Sequence, residues 1–181
     1  MALTESTQTP LGTPMPDFHL QGVDGRPWRQ DDFRTPALLV VFMCNHCPYV
    51  QAVDDRINAL ALAYRGRCAV VAINSNDPEQ YPEDSLEAMG ERALEKDYAF
   101  HYLFDETQEV ARAFGAVCTP DFFLYGPDRK LAYRGRLDDH WRDAEQVTRE
   151  ELKEAIDAVL SGRKPDANQK PSMGCSIKWR T

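Results

Sequence analysis

The sequence predicts an α/β fold, with a central mixed sheet that is covered by helices on both faces. Two continuous apolar runs, residues 37–43 and 68–73, have the composition of buried central strands. Each run is followed by a segment with apolar residues at helical spacing, and an antiparallel hairpin and a last helix complete the chain. At 181 residues the protein is most simply one domain, long enough to bury a core without disulfide bonds.

The N-terminal part begins with a flexible segment over residues 1–11, and the folded domain is predicted to span residues 12–162. Residues 17–28, with a turn at Asp24 and Gly25, suggest a short hairpin. The first central strand then leads into a helix over about residues 45–65. The apolar stripe of that helix consists of Val50, Val53, Ile57, Leu60 and Tyr64.

The middle of the chain continues the alternation of helices and strands. Residues 83–96 have helical spacing, and residues 101–104 form a short strand. Thr107 is a suitable cap for the next helix, and Gly115 is a suitable stop.

The C-terminal part contains a hairpin, a helix and a tail. Residues 121–125 and 131–136 are the predicted strands of the hairpin. Thr148 and Glu151 form a capping box that opens the last helix. Residues 163–181 form a tail that becomes apolar towards its end, and we expect it to dock on the domain.

Cys44 and Cys47 form a CxxC motif between the first central strand and its helix. If Cys44 caps that helix, unpaired backbone N–H groups and the helix dipole favour its thiolate, and Pro48 falls in the first turn, where proline is tolerated. His46 adds positive charge near the Cys44 sulfur. We interpret the motif as a redox dithiol, in which Cys44 attacks a disulfide and Cys47 resolves the mixed disulfide.

A CxxC motif is also typical of half a zinc site. The chain contains no second CxxC motif and no HxxxH motif, so the residues favour redox chemistry over a structural metal. No cofactor is therefore expected.

Several motifs resemble the thioredoxin superfamily, in the branch that unites alkyl-hydroperoxide-reductase/thiol-specific-antioxidant (AhpC/TSA) proteins with TlpA-like thioredoxins. They are MPDFHL followed by DG, CNHCPYV, AINSNDPEQYPEDS, CTPDFFLY and GCSIKW, and together they are most similar to a group of thioredoxin-like bacterial proteins. The resemblance covers about residues 12–160 and implies a thioredoxin-like fold with an insertion over residues 75–105, after the second central strand. It also implies a cis peptide bond before Pro120, in a loop where Thr119 and Pro120 bind the substrate beside the dithiol.

The chain departs from the patterns of these families in three respects. A peroxiredoxin has threonine three residues before its reactive cysteine and proline seven before, whereas this chain has Val41 and Ala37. The tryptophan that precedes the first cysteine of thioredoxin is replaced by Met43. Thioredoxin also has a buried aspartate in the strand before its dithiol. That strand holds no acid here, so Asp77 or Glu79 after the next strand is the candidate proton acceptor, although surface turn residues explain both equally simply.

Cys118 and Cys175 are possible additional redox residues. The loop implied by the resemblance brings Cys118 near the dithiol, although a buried structural thiol explains it equally well. Cys175 lies in the docking tail. Its role could be that of a resolving cysteine, a partner of Cys118 or an incidental thiol. Cys68 opens a central strand and is predicted to belong to the core.

Two other functions would use the same cysteines. One is a thiol peroxidase, in which Cys44 reacts with peroxide and Cys47 resolves it. The other is a metal-binding or metal-delivery protein, in which Cys118 or Cys175 joins Cys44 and Cys47.

Composition restricts the partners. The net charge of −8 argues against nucleic acid, and no segment approaches the roughly 20 apolar residues of a membrane span. The first 16 residues lack the basic and apolar regions of an export signal, so we expect a cytoplasmic protein. The expected partners are a disulfide-containing protein or small thiol substrate, and a reductant or oxidant that recycles the dithiol.

Overall fold

A seven-stranded mixed sheet lies at the centre of the molecule, in a computed structural model that describes residues 3–181. Within those residues the strands are β1 (Leu3–Glu5), β2 (His19–Gly22), β3 (Pro27–Arg29), β4 (Ala37–Phe42), β5 (Cys68–Asn74), β6 (His101–Phe104), β7 (Cys118–Thr119), β8 (Asp121–Tyr125), β9 (Leu131–Tyr133) and β10 (Met173–Ser176). The helices are α1 (Pro48–Gln51), α2 (Asp54–Ala63), α3 (Leu86–Glu95), α4 (Glu109–Phe114) and α5 (Glu151–Leu160). The strand order in the main sheet is β3-β2-β6-β5-β4-β8-β9.

Strand β4 is an interior strand of this sheet, between β5 and β8, and is buried over its whole length. It pairs in parallel with β5 and antiparallel with β8, and β5 pairs in parallel with β6. Leu39 and Val41 face a core that contains residues of α1, α2, α3 and α5, whereas Val40 and Phe42 face a second core that contains residues of α4. Helices therefore cover both faces, which confirms the predicted α/β architecture.

The predicted hairpin and insertion are both present. Strands β2 and β3 pair antiparallel, and Gly25 in the turn between them has a φ of 80°, a conformation that favours glycine. The insertion between β5 and β6 contains α3, which begins where the Ser85 hydroxyl accepts a hydrogen bond from the Ala88 N–H at 3.2 Å. Gly115 ends α4 in the left-handed conformation, as predicted.

The helix predicted over residues 45–65 starts later and is divided. Cys47 is the N-cap residue of α1, and Pro48 is its first helical residue. Val53 has a non-helical ψ of −7° and separates α1 from α2. The predicted position of Cys44 as the cap is therefore wrong by three residues.

The last helix also begins later than predicted, at Glu151. The Thr148 hydroxyl donates a hydrogen bond to the Asp139 carboxylate instead of capping a helix. Strand β9 ends at Tyr133 rather than at residue 136, and the next side chain, Arg134, forms a buried ion pair with Asp121.

The two termini of the described chain meet in a small sheet of order β1-β10-β7. The predicted flexible segment over residues 1–11 is corrected in part, because Leu3–Glu5 pairs with β10. Residues 1 and 2 of that segment lie outside the described residues. No helix formed by residues 3–181 is both long and apolar enough to cross a bilayer.

Candidate redox site

Cys44 and Cys47 lie just beyond the end of β4, at the edge of the main sheet. The Met43 N–H donates to the Ile73 carbonyl at 2.9 Å, so the chain stays aligned with β5 until it turns towards α1. Cys44 is 1% exposed and Cys47 is fully buried. The carboxyl end of β4 is thus followed by two neighbouring thiols that are almost inaccessible to solvent.

The loop between β7 and β8 lies against both sulfurs. The peptide bond between Thr119 and Pro120 is cis, as the resemblance implied. The Thr119 hydroxyl oxygen lies 3.4 Å from Cys44 Sγ, and the Cys47 thiol donates to the Thr119 carbonyl at 3.3 Å. The structure therefore brings Thr119 and Pro120 to the dithiol.

The environment of Cys47 favours a thiolate. The Cys44 thiol donates a hydrogen bond to the Cys47 sulfur and thereby lowers the pKa of Cys47, an effect that burial opposes. A hydrogen bond from the Cys175 thiol and the backbone N–H groups of Val50 and Cys175 lower that pKa further. The N-cap position of Cys47 contributes in the same direction, because an anion there faces the positive end of α1.

Cys44 keeps its proton more firmly than an ordinary cysteine. Its hydrogen bond to Cys47, its burial and repulsion by the Asp84 carboxylate all raise the pKa of Cys44, and the Thr119 hydroxyl offsets them only in part. The predicted lowering of the Cys44 pKa by His46 and the helix N-terminus is therefore wrong. Cys47 donates to the Thr119 carbonyl while it is protonated, and of the two sulfurs it is the one whose environment better stabilises a thiolate.

Asp84 is the buried carboxylate of the site, and the sequence analysis missed it. Its oxygens accept hydrogen bonds from the Asn45 N–H at 2.7 Å, the Asn74 amide at 3.2 Å and the Asn76 amide at 2.8 Å. Burial acts to raise the pKa of Asp84, but hydrogen bonds from His46 and Asn76 hold it below its ordinary value. Asp84 is therefore a fixed negative charge beside the dithiol.

His46 forms an ion pair with this carboxylate. Its Nδ1 lies 2.5 Å from Asp84 Oδ2, and its ring stacks on Tyr81 with the ring centroids 4.8 Å apart. The hydrogen bond to Asp84 raises the pKa of His46 although burial opposes it. The positive charge of His46 is thus paired with the Asp84 carboxylate, whereas the sequence analysis expected it to stabilise the Cys44 thiolate.

Asp77, the predicted proton acceptor, has a different role. Its carboxylate accepts hydrogen bonds from the Glu79 N–H at 3.1 Å and the Gln80 amide at 3.0 Å, and it forms an ion pair with Arg180 at 3.6 Å. Asp77 therefore stabilises a turn and the C-terminal tail, and Asp84 replaces it at the dithiol. The local sequence around Asp84 resembles a surface turn, so the only signal was its place in the AINSNDPEQYPEDS motif.

The remaining cysteines are placed differently from one another. Cys175 on β10 is in hydrogen-bonding contact with Cys47. The Cys118 thiol instead donates to the Pro120 carbonyl at 3.9 Å, and burial raises its pKa. Cys68 is buried at the opposite end of the strands, where it pairs with Ala37. The structure therefore brings Cys175 into contact with the dithiol. Cys118 lies near enough for the charge of Cys47 to affect its pKa, but its thiol bonds to Pro120.

One group of side chains at this site could hold a metal ion. Cys44, His46 and Asp84 each offer one ligand atom, and those atoms lie within 4.8 Å of one another. This set differs from the predicted one, which joined Cys44 and Cys47 to Cys118 or Cys175.

Comparisons with known proteins identify the family of the chain. Residues 11–134 match the model of the AhpC/TSA family. The chain is 49% identical to an uncharacterized conserved protein from Geobacillus kaustophilus, whose crystal structure superposes with a TM-score of 0.95 over 99% of this chain and 97% of that one. It is 26% identical to the thiol-disulfide oxidoreductase ResA of Geobacillus thermodenitrificans, over 71% of this chain and 70% of ResA.

The fold is also that of a thioredoxin. A putative thioredoxin from Neisseria meningitidis superposes with a TM-score of 0.55, at 22% identity, over 65% of this chain and 75% of that one. The predicted thioredoxin-like fold is therefore confirmed.

Proposed function

Because the chain belongs to the AhpC/TSA family, we propose that it is a thiol–disulfide oxidoreductase whose redox dithiol is Cys44 and Cys47. The observation that carries the proposal is the contact of two buried thiols with each other and with the loop before the cis-proline. The similarity to ResA supports the same chemistry. The substrates would be a disulfide-containing protein or a small disulfide, and a second redox partner would recycle the pair.

The reaction begins at Cys47, because the thiolate is the attacking species. The Cys47 thiolate attacks a substrate disulfide, forms a mixed disulfide and releases the first substrate sulfur as a thiolate. Cys44 then attacks the Cys47 sulfur, its proton passes to a departing substrate thiolate, and the second substrate sulfur leaves. The product is a Cys44–Cys47 disulfide, and two electrons have moved to the substrate.

Asp84 has a positioning role in this mechanism. Its negative charge disfavours a thiolate on Cys44 and so directs the thiolate to Cys47. The His46 side chain holds Asp84 in place and balances its charge. This order of attack is the reverse of the one expected from the sequence.

Single-cysteine variants distinguish the two orders. We expect Cys44→Ser to accumulate mixed disulfides with substrate when Cys175, the other thiol in contact with Cys47, is also replaced by serine, because no resolving thiol then remains. Cys47→Ser should be inactive in exchange. Cys68→Ser, which alters a remote buried thiol, serves as the matched control and should exchange normally. The opposite pattern would return the attacking role to Cys44, and exchange by both active-site variants would refute the proposed function.

Peroxide reduction is a second candidate, because the AhpC/TSA family, to which the chain belongs, takes its name from an alkyl hydroperoxide reductase. It predicts stoichiometric loss of thiols to hydrogen peroxide far faster than free cysteine reacts. Consumption at the rate of free cysteine would exclude it.

Metal binding is a third candidate, and it is favoured by the proximity of Cys44, His46 and Asp84. Elemental analysis of protein purified without chelators tests it. Metal-free protein with full exchange activity would exclude a functional metal.

A further inference from the structure

Strand β10 places a third thiol against the dithiol. In the register of β10 with β7, Cys175 lies opposite Thr119, the residue whose hydroxyl and carbonyl contact Cys44 and Cys47. The Cys175 thiol is in hydrogen-bonding contact with the Cys47 sulfur, and Cys175 is only 2% exposed. Three sulfurs therefore share one buried site.

The backbone on both sides of Cys175 is fixed to the loop that contains the cis-proline. The Ser172 hydroxyl donates to the Pro120 carbonyl at 2.7 Å, and the Ile177 N–H donates to the Val117 carbonyl at 3.0 Å. Gly174 packs so closely on Thr119 that a Cβ atom at this position would collide with the Thr119 carbonyl. The position of Cys175 is therefore determined by backbone contacts before and after it.

The segment after β10 is anchored as well. The Lys178 N–H donates to Asn76 Oδ1 at 2.8 Å, and the Asp77 N–H donates to the Lys178 carbonyl at 2.9 Å. The Arg180 N–H donates to Gln108 Oε1 at 2.9 Å. These bonds hold the tail across the site through its last residues.

We propose that Cys175 is a third redox cysteine, which exchanges with the Cys44–Cys47 disulfide to give a Cys47–Cys175 disulfide that fixes β10 over the site. This inference rests on the proposed function, because the Cys44–Cys47 disulfide is its reactant. The Cys175 sulfur attacks the Cys47 sulfur, the Cys47–Cys175 bond forms, and the Cys44–Cys47 bond breaks. The proton of the Cys175 thiol ends on Cys44, so the step needs no further oxidant.

Burial raises the pKa of Cys175 to about 12, so Cys175 is a thiol in the reduced protein and does not compete with Cys47 for the substrate. The raised pKa values of Cys175 and Cys44 slow the exchange, because the attacking sulfur must first lose its proton and a thiol of high pKa leaves slowly. The contact between the Cys175 and Cys47 sulfurs, and not their protonation, therefore selects this pairing.

Peptide mapping can distinguish the two disulfides. The full-length protein is equilibrated in glutathione buffers of increasing oxidised fraction, alkylated and digested with trypsin. Cys44 and Cys47 share the peptide of residues 35–56, whereas Cys175 lies in the peptide of residues 164–178. A Cys44–Cys47 disulfide leaves these peptides separate, and a Cys47–Cys175 disulfide joins them.

We expect the joined peptide in the wild type. In Cys44→Ser it should be the main disulfide product, because Cys47 and Cys175 are the adjacent thiols that remain. Cys47→Ser should give no joined peptide, and Cys68→Ser should behave as the wild type. Circular dichroism of each variant verifies that it is folded.

Cys175→Ser separates failure of this inference from failure of the proposed function. If Cys175→Ser forms the Cys44–Cys47 disulfide but no variant gives the joined peptide, the third redox cysteine is refuted and the dithiol stands. If no Cys44–Cys47 disulfide forms at any glutathione ratio, both proposals are refuted. A joined peptide in Cys47→Ser would refute the pairing with Cys47.

Discussion

Asp84 is the residue whose negative charge opposes a thiolate on Cys44, in addition to the hydrogen bond to Cys47 and burial. It is fully buried, accepts hydrogen bonds from three asparagine groups and pairs with His46. Its carboxylate raises the pKa of Cys44 and, through the hydrogen bond between the sulfurs, favours the thiolate on Cys47.

Replacement of this carboxylate should change the titration of His46. Asp84→Asn removes the hydrogen bond and the charge that raise the pKa of His46 most, and leaves burial opposed only by the charges of Cys47 and Glu83, so we expect this pKa to fall. An NMR titration of the imidazole signals measures this change. His101 packs on Trp28, and its pKa is affected by burial and by Asp24 but not by Asp84. It is the internal control and should titrate as in the wild type.

The same variant should lose a pH-dependent part of the stability. Because the folded-state pKa of His46 is raised, the pair contributes stability that is complete below the ordinary histidine pKa of about 6.5 and is lost as the pH rises through the folded-state pKa. The difference in free energy of unfolding between wild type and Asp84→Asn should therefore shrink as the pH rises through that range. A difference that grows with pH over this range would contradict the assignment.

At the scale of elements, β10 occupies the edge of β7, and its Cys175 contacts the Cys47 sulfur. A substrate that pairs with the cis-proline loop at this edge must therefore first displace the tail. This strand is present in the sequence only as a short apolar segment with one glycine, Gly174.

Gly174→Ala should loosen β10, because the added methyl group collides with the Thr119 carbonyl. Overpacking of this kind costs about 1–3 kcal/mol. If the cost falls on local opening of the tail, it corresponds to roughly a 5- to 150-fold larger open population. The rate at which dithionitrobenzoate labels Cys44 and Cys47 in the native protein should rise accordingly.

Gly90→Ala is the matched control for this experiment. Gly90 lies in α3, where a Cβ atom would be in ordinary van der Waals contact with Val23 at 3.9 Å. This variant should label at the rate of the wild type. An equal labelling rate in Gly174→Ala and the wild type would show that β10 does not restrict access.

At the scale of the whole molecule, a buried ion pair joins Asp121 at the start of β8 to Arg134 just after β9, and so ties together the two ends of this hairpin. Arg134 is 3% exposed and Asp121 is fully buried, and the guanidinium group also lies 3.8 Å from the ring centroid of Phe123. Loss of one partner leaves an uncompensated buried charge, which typically costs about 3–5 kcal/mol.

Arg134→Met should therefore destabilise the protein by about this amount in denaturant unfolding. The control is Arg149→Met, since Arg149 and Glu154 form a pair in which both side chains are about half exposed. Exposed pairs contribute about 0–1 kcal/mol. Equal destabilisation by the two variants would contradict the structural importance of the buried pair.

The sequence by itself determined the elements and the location of the dithiol. Its two unbroken apolar runs are short and contain β-branched residues, which is typical of buried central strands, and the CxxC motif directly follows the first of them. The boundary of the following helix was three residues off, since apolar spacing does not show which residue is the cap.

The tertiary structure alone decided which distant groups meet the two sulfurs. Asp84 is 40 residues from Cys44, and Cys175 is 128 residues from Cys47, so no local pattern links them. Their approach depends on how the insertion and the tail pack on the sheet, and this also determines which thiol keeps its proton, because a pKa depends on neighbours in space and not in sequence.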